Sequence, residues 1–400
     1  MAPGTPSGTK GLKVVGTSTA RRKKCDVAIA GGGLIGGAIA LELARAGLRV
    51  CVFDRQKPGQ EASWASAGII SPAPENPGMI ATVELGKRSA ALYPEFVALV
   101  EEVSGQSTGY RRKGTLEAIF SRDAKAELST IIALHHGLGL EAEPLGAEDA
   151  RELEPALAGE LEAAVLRPGE ASIDNRLLTT AVFEAARRSA AEIFPAKRVK
   201  GIWRDGARCR GVLLENEKVE AQWTVIAAGC FSGTIEGVSA YAPVRPAKGQ
   251  MIALRADDLP MERVLWSEKV YLVPRNDRRI LAGATVEYVG FDKRVTAGGI
   301  EKILAAAIAL APGLKDARIE ETWAGLRPDS ADHLPILGPT DLEGLVMATG
   351  HFRSGILLTP VTARLIREWI TEQKVSVDWD RFSPLRFQSS AASATRHAPV

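Results

Sequence analysis

Three glycines near the start of the chain, Gly31, Gly33 and Gly36, have the spacing of a turn that binds phosphate groups. They follow the apolar run 25–30 and precede apolar residues at helical spacing, which predicts a strand, a turn and a helix. Gly31 would permit the tight turn, Gly33 would let the backbone approach a pyrophosphate, and Gly36 would let the helix lie close to the sheet. The helix N-terminus would offer N–H groups and its positive dipole end to the phosphates.

Asp54 is the second residue of this pattern with a chemical role. It follows the apolar run 48–53 and lies 18 residues after Gly36, a position typical of an acid that hydrogen-bonds an adenosine ribose. A glycine triplet alone is weak evidence for a dinucleotide site, because glycine-rich turns also occur where only the backbone conformation requires them. Strand, glycines, helix, strand and acid in this order predict a dinucleotide site, with a solvated strand-end role for Asp54 as the alternative.

The elements that must position these residues are of two kinds. A strand, a glycine loop and a helix recur at 344–371, with the helix predicted to begin at Ile356, as they do at 25–45, which predicts a doubly wound, Rossmann-like α/β domain. Between 246 and 327 short alternating runs separated by turns predict an antiparallel sheet, and hence a second, α+β domain. Further predicted helices cover 80–104, 122–139, 175–188 and 298–311, and a strand is predicted at Ile193–Trp203. Either Asp174 or Asn175 is expected to cap the N-terminus of the third of these helices.

Length and composition limit the classes of function. A chain of 400 residues exceeds the usual size of one compact core, so two domains are expected. No apolar run is long enough to span a bilayer, and the four cysteines lack metal-ligand spacing, so reduced thiols in a cytoplasmic protein are expected. The net charge is +2, but six basic residues lie within the first 24, so the remainder is acidic and gives no basic footprint for nucleic acid.

Two terminal segments, 1–24 and 386–400, are polar and low in complexity. The first is basic and rich in Gly, Ser, Thr and Pro, and disorder is predicted for both. Arg21-Arg22 before an apolar run invites comparison with a twin-arginine export signal. That run is the predicted dinucleotide strand, which cleavage would remove, so export is not expected.

Five segments occur in an order that carries a family resemblance: the glycine turn with Asp54, and the segments 61–72, 227–229, 323–328 and 350–358. Together they resemble the amino-acid oxidase branch of the FAD-dependent oxidoreductases, in which the bacterial glycine oxidases of the thiamine pathway are the best match. The resemblance covers roughly 25–380, and the last two segments are more specific than the glycine turn.

The resemblance implies a discontinuous FAD domain, formed by 25–85, 171–245 and 328–385, joined to a substrate domain formed by 86–170 and 246–327. Sarcosine oxidases attach the flavin through a thioether to a cysteine near the C-terminus. No cysteine follows Cys230 in this chain, so the resemblance implies non-covalent FAD. The helix start at 355–358 would face the flavin pyrimidine end, where negative charge develops on reduction. The implied FAD contacts are Gly31, Gly33, Gly36, Asp54, Ser63, Ala67, Gly68, Val199, Ala228, Gly229, His351, Arg353, Ser354, Gly355, Ile356 and Leu357.

The same resemblance implies that Arg327 binds the substrate carboxylate, which suits a guanidinium because it makes two parallel hydrogen bonds. Tyr271 matches a tyrosine that adds another hydrogen bond, and Arg353 would line the active site. Their alternatives are a structural ion pair for Arg327, a core aromatic role for Tyr271 and support of a loop for Arg353. Lys269 and Val286 depart from the residues familiar in glycine oxidases, which leaves the substrate range open.

The implied activity is oxidation of glycine, sarcosine and small D-amino acids to the imine and 2-oxo acid, with oxygen reduced to hydrogen peroxide. Its product would supply thiazole synthesis for thiamine. One alternative keeps the fold but passes electrons to a quinone or another acceptor, as in D-amino-acid dehydrogenases and cyanide-forming glycine dehydrogenases. A non-catalytic dinucleotide-binding module or a nicotinamide protein is the other. The expected partners are a small amino acid and oxygen, without nucleic acid, and a homo-oligomer stays open.

Overall fold

The computed structural model describes residues 24–74 and 77–388. The helices are α1 Leu34–Arg45, α2 Ala62–Ala65, α3 Val83–Ser104, α4 Ala124–Gly137, α5 Ala147–Leu153, α6 Asn175–Arg188, α7 Ala297–Leu310 and α8 Thr359–Glu372. The strands are β1 Lys24–Ala30, β2 Val50–Phe53, β3 Ile69–Ile70, β4 Thr115–Ile119, β5 Glu143–Gly146, β6 Ala163–Arg167, β7 Ala171–Ser172, β8 Glu192–Phe194, β9 Gly201–Asp205, β10 Arg208–Leu213, β11 Lys218–Ile226, β12 Val244–Arg255, β13 Val264–Trp266, β14 Tyr271–Pro274, β15 Arg279–Gly283, β16 Arg318–Ser330, β17 Ile336–Pro339 and β18 Leu345–Thr349.

The first sheet has a parallel centre in the order β18-β11-β1-β2-β8, with β17 antiparallel at one edge and the β9–β10 hairpin beside β11. Strands β1 and β2 are runs of buried apolar residues, as expected for parallel strands that are covered on both faces. The carboxyl ends of β1, β2, β11 and β18 therefore meet at one edge of the sheet. In doubly wound folds this edge is where ligands bind.

Helices α1, α3, α6 and α8 pack in one apolar core against this sheet. Helix α6 begins as predicted, because the Asp174 carboxylate accepts hydrogen bonds from the N–H groups of Arg176 and Leu177. Two predictions of element bounds were wrong. Ile193–Trp203 is divided between β8 and β9, which pair with different strands, and the last helix begins at Thr359 rather than at Ile356 because a turn precedes it.

The second sheet has the order β16-β12-β15-β14-β13-β4-β6-β5 and is mostly antiparallel. Its long strands β12 and β16 pair over most of their length, and the parallel pairing of β13 with β4 joins the two halves of the sheet. Helices α5 and α7 cover one face with apolar residues. The opposite face is turned towards the first sheet, and the predicted α/β fold with a second antiparallel sheet is confirmed.

The remaining global predictions concern the termini and the cysteines. The tails predicted at 1–24 and 386–400 lie almost entirely outside the described residues, although Lys24 already belongs to β1. Cys25, Cys51, Cys209 and Cys230 are all buried, and no disulfide joins them in the part of the chain that the structure describes. Within the same residues, no helix has both the length and the apolar character needed to cross a bilayer.

Candidate active site

A cavity of about 1030 Å³ lies between the two sheets. It is lined from one side by the turns that follow β1, β2, β11 and β18, and from the other by β12, β13, β14, β15 and β16. Its volume is at the upper end of the range of about 300–1,000 Å³ that is usual for small-molecule sites. A site of this size can hold a long cofactor and a small substrate together.

The glycine turn after β1 is fitted closely to its neighbours. Gly31 has φ +113°, and a Cβ atom there would lie 2.4 Å from the carbonyl oxygen of Ala227. A Cβ at Gly36 would lie 2.1 Å from the carbonyl oxygen of Gly31, so the third glycine lets α1 pack against the turn. Gly31 and Gly33 line the cavity, whereas Gly36 does not. Gly36 therefore supports the turn from behind, as its place in the pattern predicts.

Asp54 and Ser63 stand on either side of this turn. The Asp54 carboxylate accepts hydrogen bonds from Gly32 N at 2.7 Å and Gln56 N at 2.9 Å, and burial raises its pKa. Each carboxylate oxygen has a further lone pair, so the group can still accept the hydroxyls of a ribose. Ser63 Oγ accepts from Leu34 N, the first N–H of α1, at 2.8 Å. The serine thus holds the cofactor loop against the N-terminus of the helix.

The loop around Ser63–Gly68 is fixed through its carbonyl groups. Asn175 Nδ2 donates to the carbonyl oxygens of Ser63 and Trp64, at 2.8 and 2.9 Å. Arg275 Nη2 donates to Ala67 O and to Asn175 Oδ1, both at 2.9 Å, and burial lowers the pKa of Arg275 to about 10. A side chain from α6 and one from the residue after β14 therefore set the path of this loop past the cavity.

The loop after β18 lines the cavity from His351 to Leu357. Two side chains of α3 hold it, because Ser89 Oγ donates to Leu357 O and Tyr93 Oη donates to Ile356 O, both at 2.5 Å. His351 Nε2 lies 3.0 Å from Thr362 Oγ1, and burial lowers the pKa of His351 to about 4. His351 is therefore a neutral, hydrogen-bonded residue at neutral pH.

This loop also corrects one expectation about the flavin-facing helix. Because α8 begins at Thr359, Gly355 and Leu358 belong to the preceding turn and not to the helix start. The turn is closed by a hydrogen bond of 2.8 Å from Leu358 N to Ser354 O. Arg353 lines the cavity in the same loop, and burial lowers the pKa of its guanidinium.

Arg327 and Tyr271 meet on the face of the second sheet that lines the cavity. The guanidinium of Arg327 lies over Gly249, where a Cβ would stand 2.2 Å from Nη1, and it donates to Thr285 O at 3.2 Å. Burial raises the pKa of Tyr271, and the nearby charge of Arg327 opposes that increase. A guanidinium and a phenol hydroxyl close together in a partly buried site are suited to bind a carboxylate.

The cavity brings together the other residues that the sequence singles out. Those that line it are Gly31, Gly33, Asp54, Ser63, Ala67, Gly68, Val199, Ala228, Gly229, Tyr271, Arg327, His351, Arg353, Ser354, Gly355, Ile356 and Leu357. Of the two departures from glycine oxidases, Lys269 lines the cavity, while Val286 is exposed and is not part of the lining. His333 lies outside the lining and pairs with Asp329 at 2.6 Å.

Sequence reasoning missed four side chains that shape the site. Met251 and Trp266 line the cavity beside Tyr271, and Asn175 and Arg275 hold the cofactor loop. The sequence offers a signal for one of them, because Asn175 is a candidate helix cap, but Asp174 is the cap and Asn175 instead holds the loop. No group of three potential metal ligands occurs within 24–74 and 77–388.

The residues fit the FAD that the resemblance implies. Side chains have no room at Gly31 and Gly36 of the glycine turn, a helix N-terminus stands directly behind it, and an acid with spare acceptor capacity follows β2. From there the cavity extends to Arg327, past the loop 63–68 whose carbonyl groups are held by Asn175 and Arg275. The adenosine ribose, the pyrophosphate and a flat ring system can therefore be accommodated in that order.

Comparison with known proteins gives the same result. Residues 26–369 match the DAO family, FAD dependent oxidoreductase. The chain is 36% identical over 374 residues to the bifunctional protein ThiO/ThiG of Trichormus variabilis, a match that covers 92% of this chain and 56% of that protein. It is 31% identical to the hydrogen cyanide synthase subunit HcnC of Pseudomonas aeruginosa, over 92% of this chain and 97% of the relative.

Among solved structures, glycine oxidase from Geobacillus kaustophilus superposes with a TM-score of 0.86 at 31% identity, covering 91% of this chain and 99% of that one. The chain thus spans slightly more than half of the bifunctional relative but nearly all of the glycine oxidase. A family match of this extent, on a fold and a cavity that suit the cofactor, shows that the chain belongs to the DAO family of FAD-dependent oxidoreductases.

Proposed function

We propose that the protein oxidises glycine, and also sarcosine and small D-amino acids, at the α-carbon, with oxygen as the acceptor and hydrogen peroxide as a product. The observation that carries the proposal is the Arg327 guanidinium beside Tyr271 in the same cavity as the dinucleotide turn. Similarity to a glycine oxidase and to a ThiO/ThiG protein supports it.

In this proposal the protein binds and orients, while the cofactor supplies the redox chemistry. FAD held by the glycine turn and the loops beside it would supply the acceptor for the hydride of the α-carbon. Arg327 binds the substrate carboxylate with two charge-assisted hydrogen bonds, and Tyr271 donates a third from its hydroxyl group. Arg353 lines the opposite wall. The proposed chemistry does not require His351: burial lowers its pKa to about 4, which makes it a weak base, and its Nε2 is engaged with Thr362.

We also propose how the cofactor is held. Its contacts are Gly31, Gly33, Asp54, Ser63, Ala67, Gly68, Val199, Ala228, Gly229 and the loop 351–357, with Gly36 supporting the turn. FAD is bound non-covalently, since Cys230 is the last cysteine in the sequence and burial raises its pKa to about 12, which disfavours the reactive thiolate. Four buried thiols without a disulfide support a cytoplasmic location.

The domain boundaries form part of the proposal. Residues 25–85, 171–245 and 328–385 form the FAD domain, and 86–170 and 246–327 form the substrate domain, with one refinement. Helix α3 packs in the same apolar core as α1, α6 and α8, and it holds the cofactor-facing loop. Residues 86–104 are therefore better counted with the FAD domain.

The imine product hydrolyses to the 2-oxo acid and ammonia or feeds thiazole synthesis, a role that the ThiO/ThiG relative supports. Purified protein should be yellow and should form hydrogen peroxide from glycine and oxygen. The second candidate is a dehydrogenase that passes electrons to another acceptor, which similarity to HcnC favours. Glycine that bleaches the flavin under nitrogen, with negligible reoxidation in air, identifies that case. A colourless protein that is inert to glycine refutes both.

A further inference from the structure

The guanidinium of Arg327 lies on β12 at Gly249, on the face that lines the cavity. A Cβ atom at Gly249 would stand 2.2 Å from Nη1 and 2.5 Å from Nη2, so the planar group rests on the bare backbone of the strand. Nη1 donates to Thr285 O at 3.2 Å, which limits where the group can lie on that surface. Because an arginine side chain loses much rotamer freedom when it is fixed, the geometry of the proposed carboxylate site depends on how firmly this carbonyl group is held.

Thr285 is bonded on both sides of the second sheet. Its carbonyl oxygen faces the guanidinium in the cavity, whereas its hydroxyl group donates to Glu287 Oε1 at 2.6 Å and accepts from the backbone N–H of Gln250 at 3.0 Å. Side chains alternate between the two faces of a strand, so Lys248 and Gln250 project away from the face on which Gly249 lies under the guanidinium. Neither of them lines the cavity. The hydroxyl group of Thr285 is therefore held from behind the site.

Glu287 is the centre of the group behind the site, the rear network, which consists of Lys248, Gln250, Thr285, Glu287 and Thr296. Its Oε1 also accepts from Gln250 Nε2 at 2.7 Å, and its Oε2 lies 2.8 Å from Lys248 Nζ. Lys248 and Gln250 are 2% and 0% exposed, so water has little access to these bonds. Burial alone would raise the pKa of Glu287, but the hydrogen bonds from its partners outweigh that effect and hold the pKa below its usual value. Glu287 is therefore an ionised acceptor at neutral pH.

The rear network is also joined to the start of α7. Gln250 Oε1 accepts from Thr296 N at 2.8 Å, and Gln250 Nε2 donates to Thr296 Oγ1 at 3.0 Å. Thr296 is the N-cap residue of α7. A Cβ atom at Gly299 would stand 2.2 Å from Gln250 Nε2, so the first turn of the helix packs closely on this amide. A buried lysine, a buried amide and a helix cap thus fix Glu287, and Glu287 in turn fixes Thr285.

We propose that Glu287 is a positioning residue for substrate binding: through the hydroxyl group of Thr285 it fixes the carbonyl oxygen that holds Arg327 in place. The inference rests on the proposed function, because it assumes that Arg327 binds the substrate carboxylate. Glu287 itself does not touch the substrate. Affinity depends on it because a guanidinium that is already held in position loses less conformational entropy when it binds. Loss of one hydrogen bond from the rear network should therefore weaken the binding of a carboxylate by about three- to tenfold.

The test removes the hydroxyl group that links Glu287 to the carbonyl. Thr285→Val keeps the shape and the carbonyl of this residue, and in the FAD-loaded protein it should raise the Kd for glycolate and the KM for glycine by about three- to tenfold. Thr285→Ser retains a hydroxyl group and should keep the wild-type values. Thr322→Val is the matched control, because Thr322 is exposed on β16, and it should change neither value. The double variant Lys248→Met/Glu287→Met removes both charges together and should match Thr285→Val.

Combination with Arg327→Met separates positioning from a general structural effect. In the Arg327→Met background, Thr285→Val should leave the Kd for glycolate unchanged, because the group that it positions is absent. An equal loss of affinity in both backgrounds would overturn the proposal, and so would a wild-type Kd in Thr285→Val. If Thr285→Val binds FAD poorly, the double variant Lys248→Met/Glu287→Met takes its place in the same comparison. Failure of the proposed function has a different signature, because glycine then leaves the wild-type flavin oxidised.

Discussion

The replacement Arg327→Met tests the carboxylate site in a way that can be quantified. The guanidinium of Arg327 lies over Gly249 with its position limited by Thr285 O, and it is partly buried. A hydrogen bond to a charged group contributes about 1.5–3 kcal/mol, so the loss of two such bonds in a partly solvated site costs at least about 3 kcal/mol. Since about 1.4 kcal/mol corresponds to a factor of ten, kcat/KM for glycine should fall by roughly a hundredfold or more.

The measurement separates binding from cofactor loss. Steady-state kinetics with glycine should show the decrease mainly in KM, and titration with glycolate, a carboxylate without the amine, should show a matching increase in Kd from the flavin spectrum. The FAD content should be unchanged, because the variant is remote from the glycine turn. Arg294→Met is the control, since Arg294 is highly exposed and pairs locally with Asp292. Unchanged glycolate binding in Arg327→Met would refute the assignment.

Three further predictions concern the cofactor site and its support. Asp54→Ala should raise the Kd for FAD by about tenfold or more in a fluorescence titration, because the ribose loses a charged acceptor; unaltered affinity would exclude the ribose role. Arg275→Met leaves Asn175 Oδ1 and Ala67 O unsatisfied in a buried site, so it should lower the free energy of unfolding, measured in urea, by about 3–5 kcal/mol. An effect below about 1 kcal/mol would contradict the role of Arg275 in holding the loop 63–68. The pKa of His351 is about 4 in the folded protein and about 6.5 when unfolded, so the unfolded chain binds a proton first as the pH falls from 6.5 towards 4. Stability should therefore decrease over that window by up to about 3 kcal/mol, and His351→Gln should flatten the dependence of the unfolding temperature on pH; an equal slope in both proteins would contradict this.

Patterns that are local in sequence predicted the fold well. The apolar runs before Gly31 and Asp54 form strands as predicted, and Gly36 is required by its contact with the carbonyl oxygen of Gly31 in the same turn. The cap of α6 was found because an Asp-Asn pair precedes a helical pattern. In each case the residues that determine the structure lie within a few positions of one another.

Features that depend on distant residues could not be predicted. The strand predicted at Ile193–Trp203 is divided because its two ends pair with different partners, β2 and β10. Trp266 belongs to a three-residue strand that is too short to show a period, and its role comes from its neighbours Glu117 and Tyr271. No residue near Gly249 in the sequence indicates that the guanidinium of Arg327 lies over it, because that contact is made between two strands that are distant in the chain.

Anaerobic titration of the purified, FAD-loaded protein with glycine tests the central claim most directly. The flavin absorption band should disappear in proportion to the glycine added, and admission of air should restore the band with formation of hydrogen peroxide. A yellow protein whose spectrum does not respond to glycine, sarcosine or D-alanine would contradict the account.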